Sequence, residues 1–278
     1  MRWLLGLTAL LLCTAPALAA PCDEAAPCSV GDGEYYLALP PGWDGESPLP
    51  AIVFFHGHRS SGLSVINSGS IKASFGDHGY LLIAPNGALR PDSDVRAWPA
   101  RPPEDGMRDD VAFTLDVVED VAARVPLDRS RILVAGFSAG GSMAWLVACT
   151  EGDMFAGYVS VSGALRRPAP TDTCPGGPAR MLHIHGFADT QVPLEGRGIR
   201  DWHQGDVGES LSLLRRTDQC RSNPDDIAMG DFYWCRVWNE SCATGHDIEF
   251  CLHDGGHMMP RGWAELARAW FENGPGGS

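Results

Sequence analysis

The sequence is poor in positive charge. Among its 278 residues, 21 lysines and arginines stand against 35 aspartates and glutamates, which gives a formal net charge of −14. Proteins that bind nucleic acid or anionic lipid present basic clusters, because neutralising phosphates supplies much of the affinity. The composition therefore argues against nucleic acid and acidic membranes as partners. A net charge of this size is typical of a protein that remains soluble because its molecules repel one another.

Long apolar runs are also scarce. The run at 3–12 follows Arg2 and is too short to span a bilayer. It precedes Ala17-Leu-Ala19, which has the small-x-small pattern of a cleavage site. We therefore predict a signal peptide over 1–20 and a single domain over 21–278, since no repeat or low-complexity linker divides the rest. The mature protein is expected to be secreted or periplasmic, without a membrane segment.

Zinc-type cysteine spacing is missing as well. Nine cysteines are present, and an even number remains once Cys13 leaves with the signal peptide. Cysteines in an exported chain indicate disulfides, although the sequence alone leaves many pairings open. Proximity in the chain suggests Cys22–Cys28, Cys149–Cys174, and Cys235–Cys251 across a predicted hairpin, which leaves Cys220 to pair with Cys242.

What the sequence does contain is an alternation of apolar strands and helical stripes. Strand patterns occupy 34–39, 49–55, 80–84, 130–136, 157–162, 180–186, 232–239 and 247–252, and helical patterns occupy 64–75, 109–125, 208–216 and 262–271. This alternation predicts an α/β fold with a mostly parallel, doubly wound sheet and helices on both faces. Active sites in such sheets lie at the carboxyl ends of the strands.

One strand runs into Gly136-Phe-Ser138-Ala-Gly140, and a helical segment follows. Gly-x-Ser-x-Gly between a strand and a helix is typical of a sharp turn that exposes a nucleophilic serine. The two glycines allow the backbone to pack closely around that turn. A structural Gly/Ser-rich turn is the plain alternative.

Two further polar residues follow later strands. Asp189 lies three residues beyond Gly186, and His257 follows two glycines after the last strand. The chain order Ser138, Asp189, His257 is the order expected of an α/β-hydrolase. In that interpretation His257 removes the serine proton and Asp189 orients the imidazole. Considered one at a time, each residue has a plainer interpretation: Asp189 as an aspartate that stabilises a turn, and His257 as a histidine in a surface loop.

The sequence also suggests groups that surround this triad. The backbone N–H groups of His58 and Ala139 are predicted to form the oxyanion hole. Trp98 and Trp202 fall in loops near strand ends, where each either lines a substrate pocket or packs in the core.

Two His-x-His pairs, His56 with His58 and His183 with His185, end apolar strands. Successive strand residues face opposite sides, which argues against a shared metal. No metal and no cofactor are therefore expected.

Several motifs together resemble the secreted poly(3-hydroxybutyrate) depolymerase and feruloyl/acetylxylan esterase family. The matching pieces are Phe54-Phe-His-Gly57, Ala84-Pro-Asn-Gly87, Trp98, Arg108-Asp-Asp-Val111, Gly136-Phe-Ser-Ala-Gly-Gly141, His183-Ile-His-Gly-Phe-Ala-Asp189, Val192-Pro193 and Gly255-Gly-His-Met-Met-Pro260. The resemblance implies an α/β-hydrolase catalytic domain over 21–278 that cleaves carboxylic esters through an acyl-enzyme. Polyester or its oligomers are the first expected substrate, and feruloylated or acetylated cell-wall polysaccharide is the alternative. A serine peptidase or a non-catalytic binding relative is a second alternative.

Overall fold

The structure is a computed structural model that describes residues 22–90, 93–104, 106–199, 202–243 and 245–274. The predicted signal peptide lies outside these residues. Within them, no helix combines the length and the apolar character needed to cross a membrane.

The described residues form one sheet of ten strands. The strands are β1 (Cys28–Val30), β2 (Gly33–Ala38), β3 (Leu49–Phe55), β4 (Leu81–Pro85), β5 (Leu127–Phe137), β6 (Gly157–Val161), β7 (Met181–Gly186), β8 (Asp226–Met229), β9 (Trp234–Trp238) and β10 (Ile248–His253). Two ladders of two-residue strands stand apart, pairing Ala88–Leu89 with Arg96–Ala97 and Gly198–Ile199 with Trp202–His203.

Strand order in the sheet is β1-β2-β4-β3-β5-β6-β7-β10-β9-β8. The six strands from β4 to β10 in this order are parallel to one another, and the strands at both edges are antiparallel. The prediction of a mostly parallel sheet is therefore confirmed. Such a sheet brings the carboxyl ends of β3, β5, β7 and β10 to one side.

In the part of the chain that the structure describes, six α-helices cover the sheet: α1 (Gly62–Ile66), α2 (Gly69–Ser74), α3 (Asp110–Arg124), α4 (Ala139–Thr150), α5 (Val207–Thr217) and α6 (Trp263–Asn273). Buried side chains of α3, α4 and α5 belong to the core on one face, and those of α1, α2 and α6 belong to the core on the other. The strand β3 serves both cores, because Val53 and Phe55 face the first and Ile52 and Phe54 face the second. Because both faces of β3 are buried, its sequence is almost continuously apolar.

One predicted helix differs from the structure, and the edge strands β1 and β8 lie outside the predicted elements. The helical pattern over 64–75 is divided into α1 and α2, because Asn67 ends the first helix and Ser68 precedes the second. The edge strand β8 was not predicted, since all four of its residues are exposed and it lacks the alternation that marks a half-buried strand.

Four disulfides join the pairs Cys22–Cys28, Cys149–Cys174, Cys220–Cys242 and Cys235–Cys251. These are the pairs that the sequence favoured. Cys235 and Cys251 are direct partners in the register of β9 with β10, as the predicted hairpin required. The Cys149–Cys174 bridge fixes the last turn of α4 to the loop that precedes β7.

Candidate active site

Ser138 occupies a strained turn between β5 and α4. Its φ of 58° and ψ of −115° are unusual for a residue with a side chain. The turn is tight on both sides: a Cβ on Gly136 would lie 2.2 Å from the carbonyl oxygen of Gly140, and one on Gly140 would lie 2.0 Å from that of Phe55. Glycine is therefore required at both positions, and the serine side chain is held outside the sheet.

The structure brings Ser138, His257 and Asp189 into one hydrogen-bonded row. Nε2 of His257 lies 2.8 Å from Oγ of Ser138, and Nδ1 lies 2.7 Å from Oδ2 of Asp189. An ionised carboxylate only accepts hydrogen bonds, so Nδ1 carries the imidazole proton and Nε2 is left to accept from the serine hydroxyl. Asp189 is 5% exposed, whereas the other two side chains are half-buried.

The carboxylate of Asp189 is held in its ionised form. Burial by itself raises the pKa of this group, but the hydrogen bond to His257 and those from backbone N–H groups outweigh burial and lower the pKa. Oδ1 accepts from the N–H groups of Gln191 at 2.9 Å and Val192 at 2.8 Å. The turn after β7 therefore fixes both the charge and the orientation of the acid.

The loop that carries His257 is hydrogen-bonded to the loop that carries Asp189. The N–H of Phe187 donates to the carbonyl oxygen of His253 at 2.8 Å. A Cβ on Gly186 would lie 2.3 Å from the carbonyl oxygen of Gly256, so the two loops touch through their backbones. This close contact explains why glycine precedes the Asp189 turn at position 186.

The His183–His185 pair differs from the sequence expectation. Residues two apart on a strand share a face, and the two rings contact each other, with Nε2 of His183 3.0 Å from Nδ1 of His185. The indole N–H of Trp145 donates to Nδ1 of His183 at 3.2 Å, and Nε2 of His185 lies 2.8 Å from the carbonyl oxygen of Val192. Burial lowers the pKa of both histidines, which keeps them neutral.

These contacts assign one direction to the row of hydrogen bonds. An indole nitrogen only donates and a carbonyl oxygen only accepts, so each histidine accepts at Nδ1 and donates at Nε2. The pattern His-x-His before Gly186 was visible in the sequence. Its connection to the turn at Val192 depends on the tertiary structure.

The loop after β3 holds the other predicted pair. Nε2 of His56 accepts from the N–H of Gly87 at 2.9 Å, and its Nδ1 lies 2.7 Å from the carbonyl oxygen of Gly57. Burial lowers the pKa of His56 to about 4, so this histidine is a neutral brace between two strand-end loops. Of the two predicted oxyanion-hole residues, His58 is exposed and Ala139 is the first residue of α4. The side chain of Ser138, which precedes α4, does not cap that helix.

A cleft of about 700 Å³ contains the serine, and we call it the serine cleft. Its walls combine apolar groups with a few polar ones from the loop after β3 and the turn after β7. The apolar members are Phe54, Val65, Ile71, Phe137 and Met259, and the polar members include His58, Ser60 and Gln191. Such a mixture suits an organic ligand held by a few directed hydrogen bonds.

The two predicted pocket tryptophans line a neighbouring cavity instead. Trp98 is 1% exposed, packs its ring 5.0 Å from that of Phe55, and donates from its indole N–H to the carbonyl oxygen of His56 at 3.0 Å. Trp202 is half-buried, with its ring 4.6 Å from Cζ of Arg166. Sequence reasoning missed Arg166 because nothing near it in the chain predicts that it is buried.

Known proteins with similar sequences are esterases. A family described as Phospholipase/Carboxylesterase matches residues 104–199. Feruloyl esterase C of Emericella nidulans is 28% identical over 235 residues, which cover 81% of this chain and 76% of that protein. The putative esterase NocK of Nocardia uniformis subsp. tsuyamanensis is 31% identical over 237 residues, covering 77% of this chain and 66% of that protein.

Solved structures show the same fold. Acetyl xylan esterase from Aspergillus awamori matches with a TM-score of 0.66 at 17% identity, over 87% of this chain and 94% of that one. The Bacillus cereus carboxylesterase matches with a TM-score of 0.56 at 14% identity, with the same coverage. The chain belongs to the esterase family of α/β-hydrolases. It is a carboxylic ester hydrolase, and its substrates are esters.

Proposed function

We propose that Ser138, His257 and Asp189 form the catalytic triad of this esterase. The observation that carries the proposal is the continuous row of hydrogen bonds from Oγ of Ser138 through His257 to Asp189, at 2.8 and 2.7 Å. Each member follows a different parallel strand, where active sites of α/β sheets are found. The strained backbone of Ser138 adds support, because strain of this kind concentrates at functional sites.

The proposed reaction has two halves. Oγ of Ser138 bonds to the carbonyl carbon of the ester while its proton passes to Nε2 of His257. The carbonyl oxygen gains the electron pair and accepts hydrogen bonds from the N–H groups of His58 and Ala139. The carbonyl then re-forms, the bond to the alcohol oxygen breaks, and the alcohol leaves with the proton from Nε2. Water attacks the acyl-enzyme in the same way and releases the acid.

Acylated plant polysaccharide is the substrate that we favour. The support comes from relatives named feruloyl esterase and a structural neighbour named acetyl xylan esterase. The first expectation, a polyester or its oligomers, lacks a counterpart among these proteins. The apolar wall of the serine cleft is compatible with an aromatic acyl group.

We also infer that the protein functions outside the cytoplasm. Four disulfides in a chain of this length are typical of an oxidising compartment. A signal peptide over 1–20 accounts for that location, whether secreted or periplasmic.

Hydrolysis of three substrates by the full-length mature protein tests the proposal. We expect methyl ferulate or acetylated xylan to be cleaved with a kcat/KM well above that for 3-hydroxybutyrate oligomers. Ser138→Ala should abolish turnover of all three, while Ser70→Ala, an exposed serine of α2, should retain it. Turnover that survives Ser138→Ala would overturn the triad, and a preference for the hydroxybutyrate oligomers would return the substrate to the polyester class.

A further inference from the structure

A cavity of about 880 Å³ beside the serine cleft is rich in arginine, and we call it the arginine cavity. It uses five of the 21 basic residues of a chain whose net charge is −14. Only two acidic residues, Asp32 and Glu34, are among the described residues that line it. The five arginines are Arg90, Arg96, Arg101, Arg108 and Arg166. A cationic cavity in an acidic protein needs an explanation.

Ion pairs account for three of the five. Within the described part of the chain, no acidic partner lies within salt-bridge distance of Arg90 or Arg166. The three pairs are Arg96 with Glu34 at 3.0 Å, Arg101 with Glu104 at 3.2 Å and Arg108 with Asp110 at 2.7 Å. Among the described residues, two positive charges of the cavity therefore have no carboxylate beside them.

Arg166 is the more unusual of the two because it is only 8% exposed. Its Nη1 donates to the carbonyl oxygens of Trp98 at 2.8 Å and Pro99 at 2.6 Å. Its Nε is buried and has no acceptor among the described residues. Burial lowers the pKa of Arg166 to about 10, with smaller contributions from the charges of Arg101 and Arg90. A buried cation without an anion is destabilising, and an anionic ligand would remove that cost.

The arginine cavity and the serine cleft share a wall. The N–H of Arg59, in the cleft, donates to the carbonyl oxygen of Arg96, in the cavity, at 3.2 Å. The field of the cavity also reaches the cleft: the pKa of His58 is lowered first by a partial loss of solvation, and then by the charges of Arg90, Arg59 and Arg166. A ligand that reaches from Ser138 past His58 would enter a positive field.

We propose that the arginine cavity binds a carboxylate carried by the ester substrate, with Arg166 as the buried partner and Arg90 at the rim. The inference rests on the proposed function, since it describes one part of the substrate of that site. Guanidinium groups suit carboxylates because two parallel N–H donors match the two oxygens. The substrate class is then an ester whose acyl or alcohol part bears a free acid, such as the half-ester of a dicarboxylic acid or an acylated acidic sugar.

Two matched pairs of substrates test this site. The acyl pair is the 4-nitrophenyl half-ester of adipic acid and the same ester with a terminal carboxamide. The alcohol pair is acetylated glucuronic acid and its carboxamide. For the wild type, at least one pair should give a kcat/KM ratio of acid to amide of roughly ten to a hundred, the range expected for hydrogen bonds to a charged group.

Arg166→Gln and Arg90→Gln should each bring that ratio towards one. Arg129→Gln, which removes an exposed arginine paired with Glu119, is the control and should keep the wild-type ratio. Equal turnover of acid and amide in both pairs would overturn the carboxylate site and leave the esterase intact. A high ratio that survives both substitutions would equally overturn the assignment to these arginines.

Failure of the proposed function would look different, because neither member of either pair would be hydrolysed. Arg166 also hydrogen-bonds to two loop carbonyls, so its variant is checked by thermal unfolding. Where Arg166→Gln does not fold, the wild-type ratio and Arg90→Gln decide the question, because the Arg90 side chain is exposed.

Discussion

His185 lies against Asp189, with its Nε2 3.5 Å from Oδ2 of the carboxylate. The same nitrogen is 2.8 Å from the carbonyl oxygen of Val192, whose N–H donates to Oδ1 of Asp189 at 2.8 Å. His185 therefore donates a hydrogen bond to the backbone of the turn whose N–H groups orient the carboxylate of Asp189. Because it does not touch the serine, we expect it to act as a positioning residue for the proposed triad rather than as a catalytic one.

Replacing His185 separates positioning from simple packing. His185→Phe keeps the volume but loses the donor to Val192, so we expect kcat for 4-nitrophenyl acetate to fall by roughly tenfold, as for loss of a buried hydrogen bond. His185→Gln restores an N–H donor and should recover part of kcat. Steady-state kinetics of both variants, with thermal unfolding as a check, measures this. Equal activity of the two variants would contradict a positioning role.

The turn at Ser138 should tolerate no side chain at Gly140. A Cβ there would lie 2.0 Å from the carbonyl oxygen of Phe55, so Gly140→Ala must displace the backbone of β3 or α4. We expect a loss of about 3 kcal/mol or more in the free energy of unfolding, together with most of the esterase activity. Gly69→Ala is the matched control in α2, where a Cβ would meet nothing within 4 Å. A mild effect at Gly140 would mean that the turn is looser than described.

Asp218 should make stability depend on pH. Its side chain is fully buried, Oδ2 has no partner among the described residues, and burial raises its pKa from 3.8 to about 8. Between those pH values the folded chain keeps a proton that the unfolded chain has released. The folded state therefore loses stability as the pH rises from about 4 to about 8.

Asp218→Asn removes that dependence. The gain in the free energy of unfolding over the wild type should be smallest near pH 4 and grow to roughly 5 kcal/mol by pH 8. Denaturant unfolding at a series of pH values measures the gain. Asp116→Asn, which changes an exposed acid of α3, should show no such trend. A gain for Asp218→Asn that does not change with pH would contradict the buried-acid account.

The Cys149–Cys174 disulfide should stabilise the protein by lowering the conformational entropy of the unfolded chain. The bridge spans 25 residues, for which loop-closure entropy predicts a loss of roughly 3 kcal/mol when both cysteines are changed to alanine. The Cys22–Cys28 bridge spans only 6 residues, so its removal should cost about 1 kcal/mol less. Thermal unfolding of the two double variants gives the comparison. The reverse order would contradict an effect set by loop length.

Much of the fold could be predicted because its strands are buried on both faces. The strands β3, β4, β6 and β7 are continuous apolar runs, so each can be identified from its own residues without knowing which strand it pairs with. The order of Ser138, Asp189 and His257 predicted which strand ends would meet, because parallel strands place their carboxyl ends on one side. The edge strand β8 escaped prediction because pairing with β9 alone defines it.

Other features depend on contacts between distant segments. Arg166 is an ordinary loop arginine in the sequence, and its contacts with the carbonyl oxygens of Trp98 and Pro99 and with the ring of Trp202 depend on the tertiary structure. His183 and His185 were expected to be separated by strand alternation, yet a spacing of two places both on one face. For Trp98 the sequence left open whether it lines a pocket or packs in the core. The structure shows both, because its ring is buried and also borders the arginine cavity.

We propose that Ser138 is the nucleophile of this esterase and that His257 activates it. Labelling of the mature protein with a fluorophosphonate, followed by peptide mass spectrometry, tests this most directly. We expect a single adduct on Ser138, no adduct in Ser138→Ala and at least a hundredfold slower labelling in His257→Gln, which is within the range for general-base assistance. An adduct on a different serine, or ester turnover that is unchanged in Ser138→Ala, would contradict the account.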